Sequence, residues 1–213
     1  MDSNKSTPKK SKPGKKRVAL VPQRSHGRLR VAALLDAGAA VIAEKGFQAA
    51  TMAEIAARAG APIGSLYRFF PGKEILADAL VQRFGELINA AFGEVNSRVK
   101  SLSPSALTEA FLKILVDLHG EKPAIRALLE AHPGWSAKRA EFRRAIRRHV
   151  ATTLTLRCPG LNSKTAGDMA VVILQNMKAV GVLNRELQGN ALSGALSELH
   201  AMTRLYLEDK LGD

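Results

Sequence analysis

TMAEIAARAGAPIGSLYRFF, residues 51–70, contains the signals of two short helices and of the turn between them. Thr51 is followed three residues later by Glu54. This is the reciprocal capping box, in which each side chain accepts a hydrogen bond from the other residue's backbone amide, so a helix is predicted to begin at Thr51. Gly60 follows the last apolar position, and glycine readily adopts the conformation that closes a helix. The first helix is therefore predicted to end near Ala59.

A second short helix is predicted from Pro62, because proline is tolerated at the start of a helix, where its missing amide would have no partner in any case. We expect Ile63, Leu66 and Phe70 to form its buried stripe. The outward face would then consist of Gly64, Ser65, Tyr67, Arg68 and Phe69. Two short helices joined by a tight turn form a helix-turn-helix. An outward face with a ring, a guanidinium and small residues is typical of contact with a partner.

Helical periodicity continues on both sides of this motif. Apolar residues recur at helical spacing from Arg28 to Gly46, and again in a long helix that follows Pro71 and is predicted to run to about Lys100. Further helices are predicted at residues 104–119, 123–131, 136–156, 163–187 and 190–210. Strand alternation is not seen in the sequence. The predicted fold class is all-α, with an N-terminal three-helix domain followed by a C-terminal helical bundle.

The positive charge is concentrated at the amino terminus. The chain carries a net charge of +13, and residues 1–30 hold ten Lys or Arg against one Asp. We expect residues 1–24 to form a disordered basic tail that strengthens binding to a polyanion through counterion release, the alternative being a solvated tail with no specific role. A second basic run lies in the predicted helix 136–156. A solvated face is favoured there over a second DNA or acidic-ligand contact, for Arg139, Arg143, Arg144, Arg147 and Arg148.

Composition excludes several other classes of protein. The single cysteine, Cys158, excludes an internal disulfide and a cysteine-rich zinc site. The amino terminus lacks the apolar core of a signal peptide, and we expect no apolar run of the roughly 18 residues that a membrane span needs, so a cytoplasmic location is predicted. The sequence has no glycine-rich phosphate loop and no histidine pair at helical spacing for a metal. We therefore expect a protein that is not an enzyme and has no cofactor or metal.

Between Arg28 and Arg83 the sequence resembles the amino-terminal domain of the TetR family of transcriptional regulators. The family often has Ser at the position of Pro62 and His or Tyr at that of Phe69, so the chain departs from the pattern there. The residues that match the family pattern are Gly46, Phe47, Thr51, Ile55, Ala56, Ala59, Gly60, Gly64, Leu66, Tyr67, Phe70, Lys73 and Glu74.

The resemblance implies a sequence-specific DNA-binding transcriptional regulator. We expect a repressor that a small-molecule effector releases from a palindromic operator in double-stranded DNA. The alternative is a TetR-like helical protein that acts through non-specific DNA or protein contacts. The predicted organisation is a basic tail at 1–24, a helix-turn-helix DNA-binding domain at 25–73, and a helical domain for ligand binding and dimerisation at 74–213.

Seven residues are predicted to contact DNA. Thr51, Tyr67 and Lys73 are of types that donate to phosphate oxygens, as similar positions of the family do. Gly64 and Ser65 allow the backbone to approach closely. Arg68 could reach the N7 and O6 atoms of guanine, and Phe69 could touch a thymine methyl. For Tyr67 and Phe69, the alternative is that they pack inside the small domain.

The carboxy-terminal half is expected to carry two further features. The resemblance implies a homodimer through the last two helices, with packing inside one chain as the alternative. The apolar residues concerned are Met169, Val172, Ile173, Met177, Val180, Leu183, Leu192, Ala195, Leu196, Leu199, Met202, Leu205 and Tyr206. It also implies an effector cavity, with ordinary core packing as the alternative. The residues that could line the cavity are Phe111, Leu115, Trp135, Phe142, His149, Met169, Asn176 and Met177.

Overall fold

The predicted all-α class is confirmed by a computed structural model, which describes Ala19 and residues 25–117, 122–131 and 135–212. These residues form helices joined by short turns, with no strand among them. The predicted basic tail at 1–24 lies almost wholly outside the described residues. The helices are α1 (Ser25–Ala49), α2 (Met52–Arg58), α3 (Ile63–Phe69), α4 (Lys73–Arg98), α5 (Pro104–Asp117), α6 (Lys122–Ala131), α7 (Ser136–Arg157), α8 (Ser163–Glu186) and α9 (Gly189–Leu211).

Helix α1 differs most from its prediction. It begins at Ser25 rather than Arg28, and its regular helical geometry stops at Gly46, as predicted, before one further short helical turn. Gly46 has a φ of 79°, a conformation that only glycine adopts readily, and the chain turns helical again up to Ala49. The bend carries Phe47 into the core, where its side chain is buried.

The other helices begin and end close to the predicted residues. Helix α4 is followed by a 3-10 turn at Val99–Ser101, which coincides with the predicted end near Lys100. The bounds of α6 to α9 agree with their predictions to within one residue at each end. Residues 118 and 119, at the predicted end of the helix that became α5, lie outside the described residues.

One hydrophobic core runs through the described part of the chain, from Leu34 on α1 to Leu207 on α9. Helix α6 packs on α1, α4 packs on α7, and α7 lies along α8, while α5 contacts both α8 and α9. Aromatic side chains fill the space between α4, α5 and α7. Ring centroids lie 5.6 Å apart for Phe84 and Phe142, and 6.5 Å apart for Phe92 and Phe111.

The residues suggested for an effector cavity contribute to this core. Phe111, Trp135, Met169 and Met177 are buried, and Phe142 and His149 are partly buried. His149 stacks on Phe92 with 5.1 Å between ring centroids, and burial, aided by the charge of Arg148, lowers its pKa. Asn176 donates to the hydroxyl of Thr203 across α8 and α9. The side chain of Leu115 lies outside the described residues. A cavity among these residues stays a prediction.

The apolar surfaces of α8 and α9 divide between the interior and the exterior of the chain. Met169, Ile173, Met177 and Val180 are buried within it. Packing inside one chain therefore accounts for part of the predicted interface. The large apolar side chains that stay exposed on these two helices are Val171, Val172, Val182, Met202 and Leu205.

Helix α8 also corrects an expectation about apolar length. Within the described residues it is long and apolar enough to cross a membrane by length and composition, whereas no such run was expected. The core helix of a globular protein meets the same criterion. The buried side of α8 packs against α5, α7 and α9, which accounts for its apolar character.

Candidate nucleic-acid interface

Helix α2 begins with the predicted capping box. The Thr51 hydroxyl accepts from the amide of Glu54 at 3.2 Å, and the amide of Thr51 donates to Oε2 of Glu54 at 3.1 Å. The same hydroxyl donates back to Oε2 at 3.0 Å. Lys45 pairs with the other carboxylate oxygen of Glu54. This pairing, with the bonds from Thr51, lowers the pKa of Glu54 and keeps the cap charged.

The turn between α2 and α3 follows the predicted glycine and proline. Gly60 has a φ of 57°, and the amide of Ala61 donates to the carbonyl of Ala56 at 3.0 Å, which closes α2. Pro62 caps α3, and its carbonyl accepts from the amide of Ser65 at 2.9 Å. The turn is thus fixed by backbone bonds within the motif, so α3 is held at a defined angle to α2.

The buried face of α3 differs from the prediction at two positions. Leu66 and Phe70 are buried as expected, but Phe69 is only 2% exposed and Ile63 is 46% exposed. The expectation that Phe69 lies on the outward face is therefore wrong. Leu66, Phe69 and Phe70 lie three and four residues apart on one face, and two phenylalanine rings bury more apolar area than one ring and an isoleucine in the first turn.

The outward face of α3 consists of Ile63, Gly64, Tyr67 and Arg68. Tyr67 is 47% exposed, and Arg68 is also exposed. A Cβ placed on Gly64 would meet no atom of the described residues within 4 Å, so the backbone there is open to close approach. Ser65 is half-buried at the edge of this face.

Phe69 supports this face from below. The guanidinium carbon of Arg68 lies 4.7 Å from the centroid of the Phe69 ring, within the range of a cation–π contact.

Sequence reasoning missed Ile63, which offers the exposed apolar group that Phe69 was expected to provide. Its place in the first turn, where a side chain can extend beyond the helix end, is the signal that could have identified it.

Lys73 has a structural role that the sequence did not indicate. Its Nζ donates to the carbonyls of Gln48 and Ala50, at 3.0 Å each, and lies 4.7 Å from the centroid of the Phe47 ring. These bonds tie the start of α4 to the segment between α1 and α2. An ammonium has three N–H donors, so two are used in these bonds. The predicted contact of Lys73 with a phosphate stays a prediction.

The start of α7 joins the helix-turn-helix to the bundle. The ring centroids of Trp135 and Phe47 lie 6.5 Å apart, and Nζ of Lys138 lies 4.3 Å from the centroid of the Trp135 ring. Lys138 also pairs with Asp78 on α4. Helix α4 is therefore contacted at one end by both the small domain and α7.

Comparison with known proteins supports the interpretation of α2 and α3 as a DNA-binding helix-turn-helix. Residues 34–80 match the model of the bacterial regulatory proteins of the tetR family, a range that covers the motif and the start of α4. The nucleoid occlusion factor SlmA of Haemophilus ducreyi is 27% identical over 89 residues, which are 42% of this chain and 43% of that protein. SlmA of Actinobacillus pleuropneumoniae serotype 5b is 28% identical over 90 residues, 42% of this chain and 43% of that protein. The match spans less than half the length of these relatives.

Solved structures share the fold over most of the chain. A transcriptional regulator of Aquifex aeolicus VF5 aligns with a TM-score of 0.64 at 22% identity, covering 84% of this chain and 98% of that one. A TetR-like regulator of Rhodococcus sp. RHA1 gives 0.60 at 22% identity, with 85% and 96% covered. FadR of Bacillus subtilis, in complex with stearoyl-CoA, gives 0.58 at 19% identity, with 81% and 96% covered. Residues 34–80 therefore match the amino-terminal domain of the tetR-family regulatory proteins, and the chain shares the fold of the solved regulators.

Proposed function

We propose that this chain is a transcriptional regulator of the TetR type that binds a palindromic operator as a homodimer, and that it is a cytoplasmic repressor released by a small-molecule effector. The observation that carries the proposal is the division of α3 into two faces. Leu66, Phe69 and Phe70 anchor the helix, while Tyr67 and Arg68 extend from it with an open backbone beside them. Such a helix matches the recognition helix of a helix-turn-helix, which enters the major groove.

Each outward residue has a role that follows from its chemistry. Tyr67 and Thr51 carry hydroxyls that donate to phosphate oxygens, and Lys73 can add its remaining N–H. Arg68 is placed to bind guanine through N7 and O6, with its guanidinium oriented by the ring of Phe69. Gly64 and Ser65 permit the helix to approach the bases. Ile63 takes the thymine-methyl contact first assigned to Phe69, because its side chain is exposed.

The exposed apolar residues of α8 and α9 support the dimer. Large apolar side chains that remain in contact with water on adjacent helices mark an interaction surface. A two-fold dimer would place two α3 helices about 34–36 Å apart, or somewhat more, so that they enter successive major grooves of a palindrome.

Residues 74–213 are proposed as the ligand-binding and dimerisation domain, and residues 25–73 as the DNA-binding domain. An effector that binds among the α4, α5 and α7 helices would act through α4, whose first residue is bonded to the DNA-binding domain. The two DNA-binding domains of a dimer can lie at different spacings. Such an effector changes operator affinity only if it binds the dimer with one spacing more tightly than the dimer with the other.

The experiment is selection of bound duplexes from a random pool, followed by affinity measurements on the selected site. Arg68→Ala should relax the preference at one base step and cost about 1–3 kcal/mol on the selected site. Tyr67→Phe should weaken binding to all duplexes alike, because it removes only a phosphate donor. Arg98→Ala, at the far end of α4, serves as the control and should leave both properties unchanged. An unchanged sequence preference in Arg68→Ala would refute the assignment.

A second candidate is a TetR-like protein that acts through non-specific DNA or protein contacts. The similarity to nucleoid occlusion factors favours it, as does the concentration of basic residues before residue 30. The two candidates differ in a salt titration on selected and random duplexes. Equal affinity for both duplexes at every salt concentration would favour the second candidate.

A further inference from the structure

Four side chains form a continuous stack where the helix-turn-helix domain meets the helical bundle. Trp135 lies directly before α7, and the centroid of its ring is 6.5 Å from that of Phe47 on α1. Nζ of Lys138 lies 4.3 Å from the centroid of the Trp135 ring, and Nζ of Lys73 lies 4.7 Å from that of the Phe47 ring. The two rings are 5% and 1% exposed. We name Lys138, Trp135, Phe47 and Lys73, in this order, the junction stack.

Both ends of the junction stack are bonded to other parts of the chain. At one end Lys73, the first residue of α4, donates to the carbonyls of Gln48 and Ala50. At the other end Lys138 on α7 pairs with Asp78, which lies in the second turn of α4. The start of α4 is therefore joined to the end of α1 through Lys73 and to the start of α7 through Asp78.

Trp135 is held in place by the bundle. Arg139, one turn further along α7, donates to the carbonyl of Leu129 on α6, and α6 packs on α1. The ring that contacts Phe47 is thus fixed to α6 and α7, whereas Phe47 belongs to the helix-turn-helix domain. Aromatic rings pack against each other in few arrangements. The contact of Trp135 with Phe47 therefore restricts the orientation of that domain relative to the bundle.

We infer that Trp135 is a positioning residue, which holds the helix-turn-helix domain at a fixed orientation to the bundle. Its effect on DNA binding rests on the proposed function, in which a dimer binds a palindrome. Once one domain of the dimer has bound its half-site, the second binds as an intramolecular event, and its effective concentration falls when its orientation is less restricted. Loss of Trp135 should then lower affinity for the palindrome but not for a half-site.

The test uses two variants of the junction stack in the full chain. Trp135→Leu removes both ring contacts, and Lys138→Gln removes one cation and its pairing with Asp78. The matched control is Lys164→Gln, which breaks an exposed ion pair with Asp168 within α8. Affinity is measured by fluorescence anisotropy on the selected palindrome, on an isolated half-site, and on a palindrome whose half-sites are moved apart.

Trp135→Leu should lose roughly tenfold in affinity for the palindrome, while its half-site affinity stays within about twofold. It should also tolerate the wider spacing better than the unmodified chain does, because its two DNA-binding domains are less restricted. Lys138→Gln should change in the same direction by a smaller factor, and Lys164→Gln should match the unmodified chain. Analytical ultracentrifugation should show that every variant remains dimeric.

A distance measurement tests the orientation without DNA. Nitroxide labels are attached to Ala57→Cys on α2 and Ser105→Cys on α5, two exposed positions, in a chain that also carries Cys158→Ser. The labelled chain is diluted with unlabelled chain, so that pulsed electron paramagnetic resonance reports the distance within one chain. The distribution of distances should be broader with Trp135→Leu or Lys138→Gln than without them, and unchanged with Lys164→Gln.

Two outcomes would overturn the inference. Equal losses of affinity on the palindrome and on the half-site would mean that Trp135 only supports folding. An unchanged distance distribution in both variants would mean that other contacts set the orientation. If Trp135→Leu did not fold, Lys138→Gln would decide, because its side chain is exposed. An unmodified chain without preference for the palindrome would refute the proposed operator instead, and a broader distribution in the variants would still support the positioning role.

Discussion

At the scale of single residues, Lys73 illustrates how one side chain can be assigned to DNA from sequence and to the fold from structure. Two of its three donors bond to the carbonyls of Gln48 and Ala50. We predict that Lys73→Met lowers the free energy of unfolding by about 2 kcal/mol, because two charge-assisted hydrogen bonds and a cation–π contact are lost. The measurement is denaturant unfolding in the absence of DNA.

Lys100→Met is the control for that prediction, because Lys100 is exposed beyond the end of α4 and should tolerate the change to within about 0.5 kcal/mol. If Lys73→Met unfolded like the control yet bound DNA poorly, the phosphate role assigned from sequence would be the correct one. Loss of both stability and DNA affinity would fit a structural role of Lys73, through its bonds to the carbonyls of Gln48 and Ala50.

The residues of the interface were predictable where the signal is local. The capping box of Thr51 and Glu54 depends on residues three apart, and the structure forms it as predicted. The burial of Phe69 was not predictable in this way. Two adjacent phenylalanines on a seven-residue helix allow two choices of buried face, and the packing of α3 against the rest of the small domain decides between them.

At the scale of elements, the amino end of α2 combines a helix cap with a proposed phosphate contact. The Thr51 hydroxyl is already bonded to Glu54 as both donor and acceptor. We predict that Thr51→Ala destabilises the protein by about 1 kcal/mol, through loss of the cap. Thr51→Asp should have a stability between those of Thr51→Ala and the unmodified chain, because aspartate caps the helix but its carboxylate loses the bond to Glu54 and repels it. It should nevertheless bind all duplexes less tightly, because its charge repels phosphate.

Those two substitutions separate the roles of Thr51. Unfolding is followed by circular dichroism, and affinity is measured on the selected duplex and on a random one. Thr51→Ser is the control and should preserve both properties. If Thr51→Asp bound DNA as well as the unmodified chain, the amino end of α2 would not lie at the phosphate backbone.

Most helix ends were predictable because their signals lie within the element. Glycine after α2 and proline before α3 give ends that the structure reproduces. In α1 the break predicted at Gly46 is present, but the chain then returns to helical geometry, and the amide of Ala50 bonds to the carbonyl of Gly46 at 3.1 Å. That return was not predicted. The burial of Phe47 stabilises this extra helical turn, and that burial depends on residues distant in the sequence.

At the scale of the whole molecule, the contacts that join the helix-turn-helix domain to the helical bundle were not predictable from the sequence. Trp135 meets Phe47, and Lys138 pairs with Asp78, across long separations in sequence. Periodicity identifies the apolar side of a helix but not the helix that covers it. The all-α class followed from periodicity alone, whereas the order in which helices pack required the structure.

Periodicity also did not predict which apolar side chains of α8 and α9 stay exposed to solvent. Met202 and Leu205 on α9 are 54% and 57% exposed, and Val172 is exposed on α8. We predict that Met202→Glu with Leu205→Glu weakens the dimer by about a hundredfold or more, because charges buried in an apolar interface lack partners. Analytical ultracentrifugation over a range of protein concentrations would measure the change.

In that variant, affinity for the palindromic duplex should fall as the dimer weakens, because a monomer has one DNA-binding domain and occupies only one half-site. Affinity for an isolated half-site should not change. Leu156→Glu, which places a charge at a partly exposed leucine near the end of α7, is the control and should leave the dimer intact. A monomeric unmodified chain that still preferred the palindrome would contradict the two-fold arrangement, since one head alone cannot distinguish a palindrome from its half.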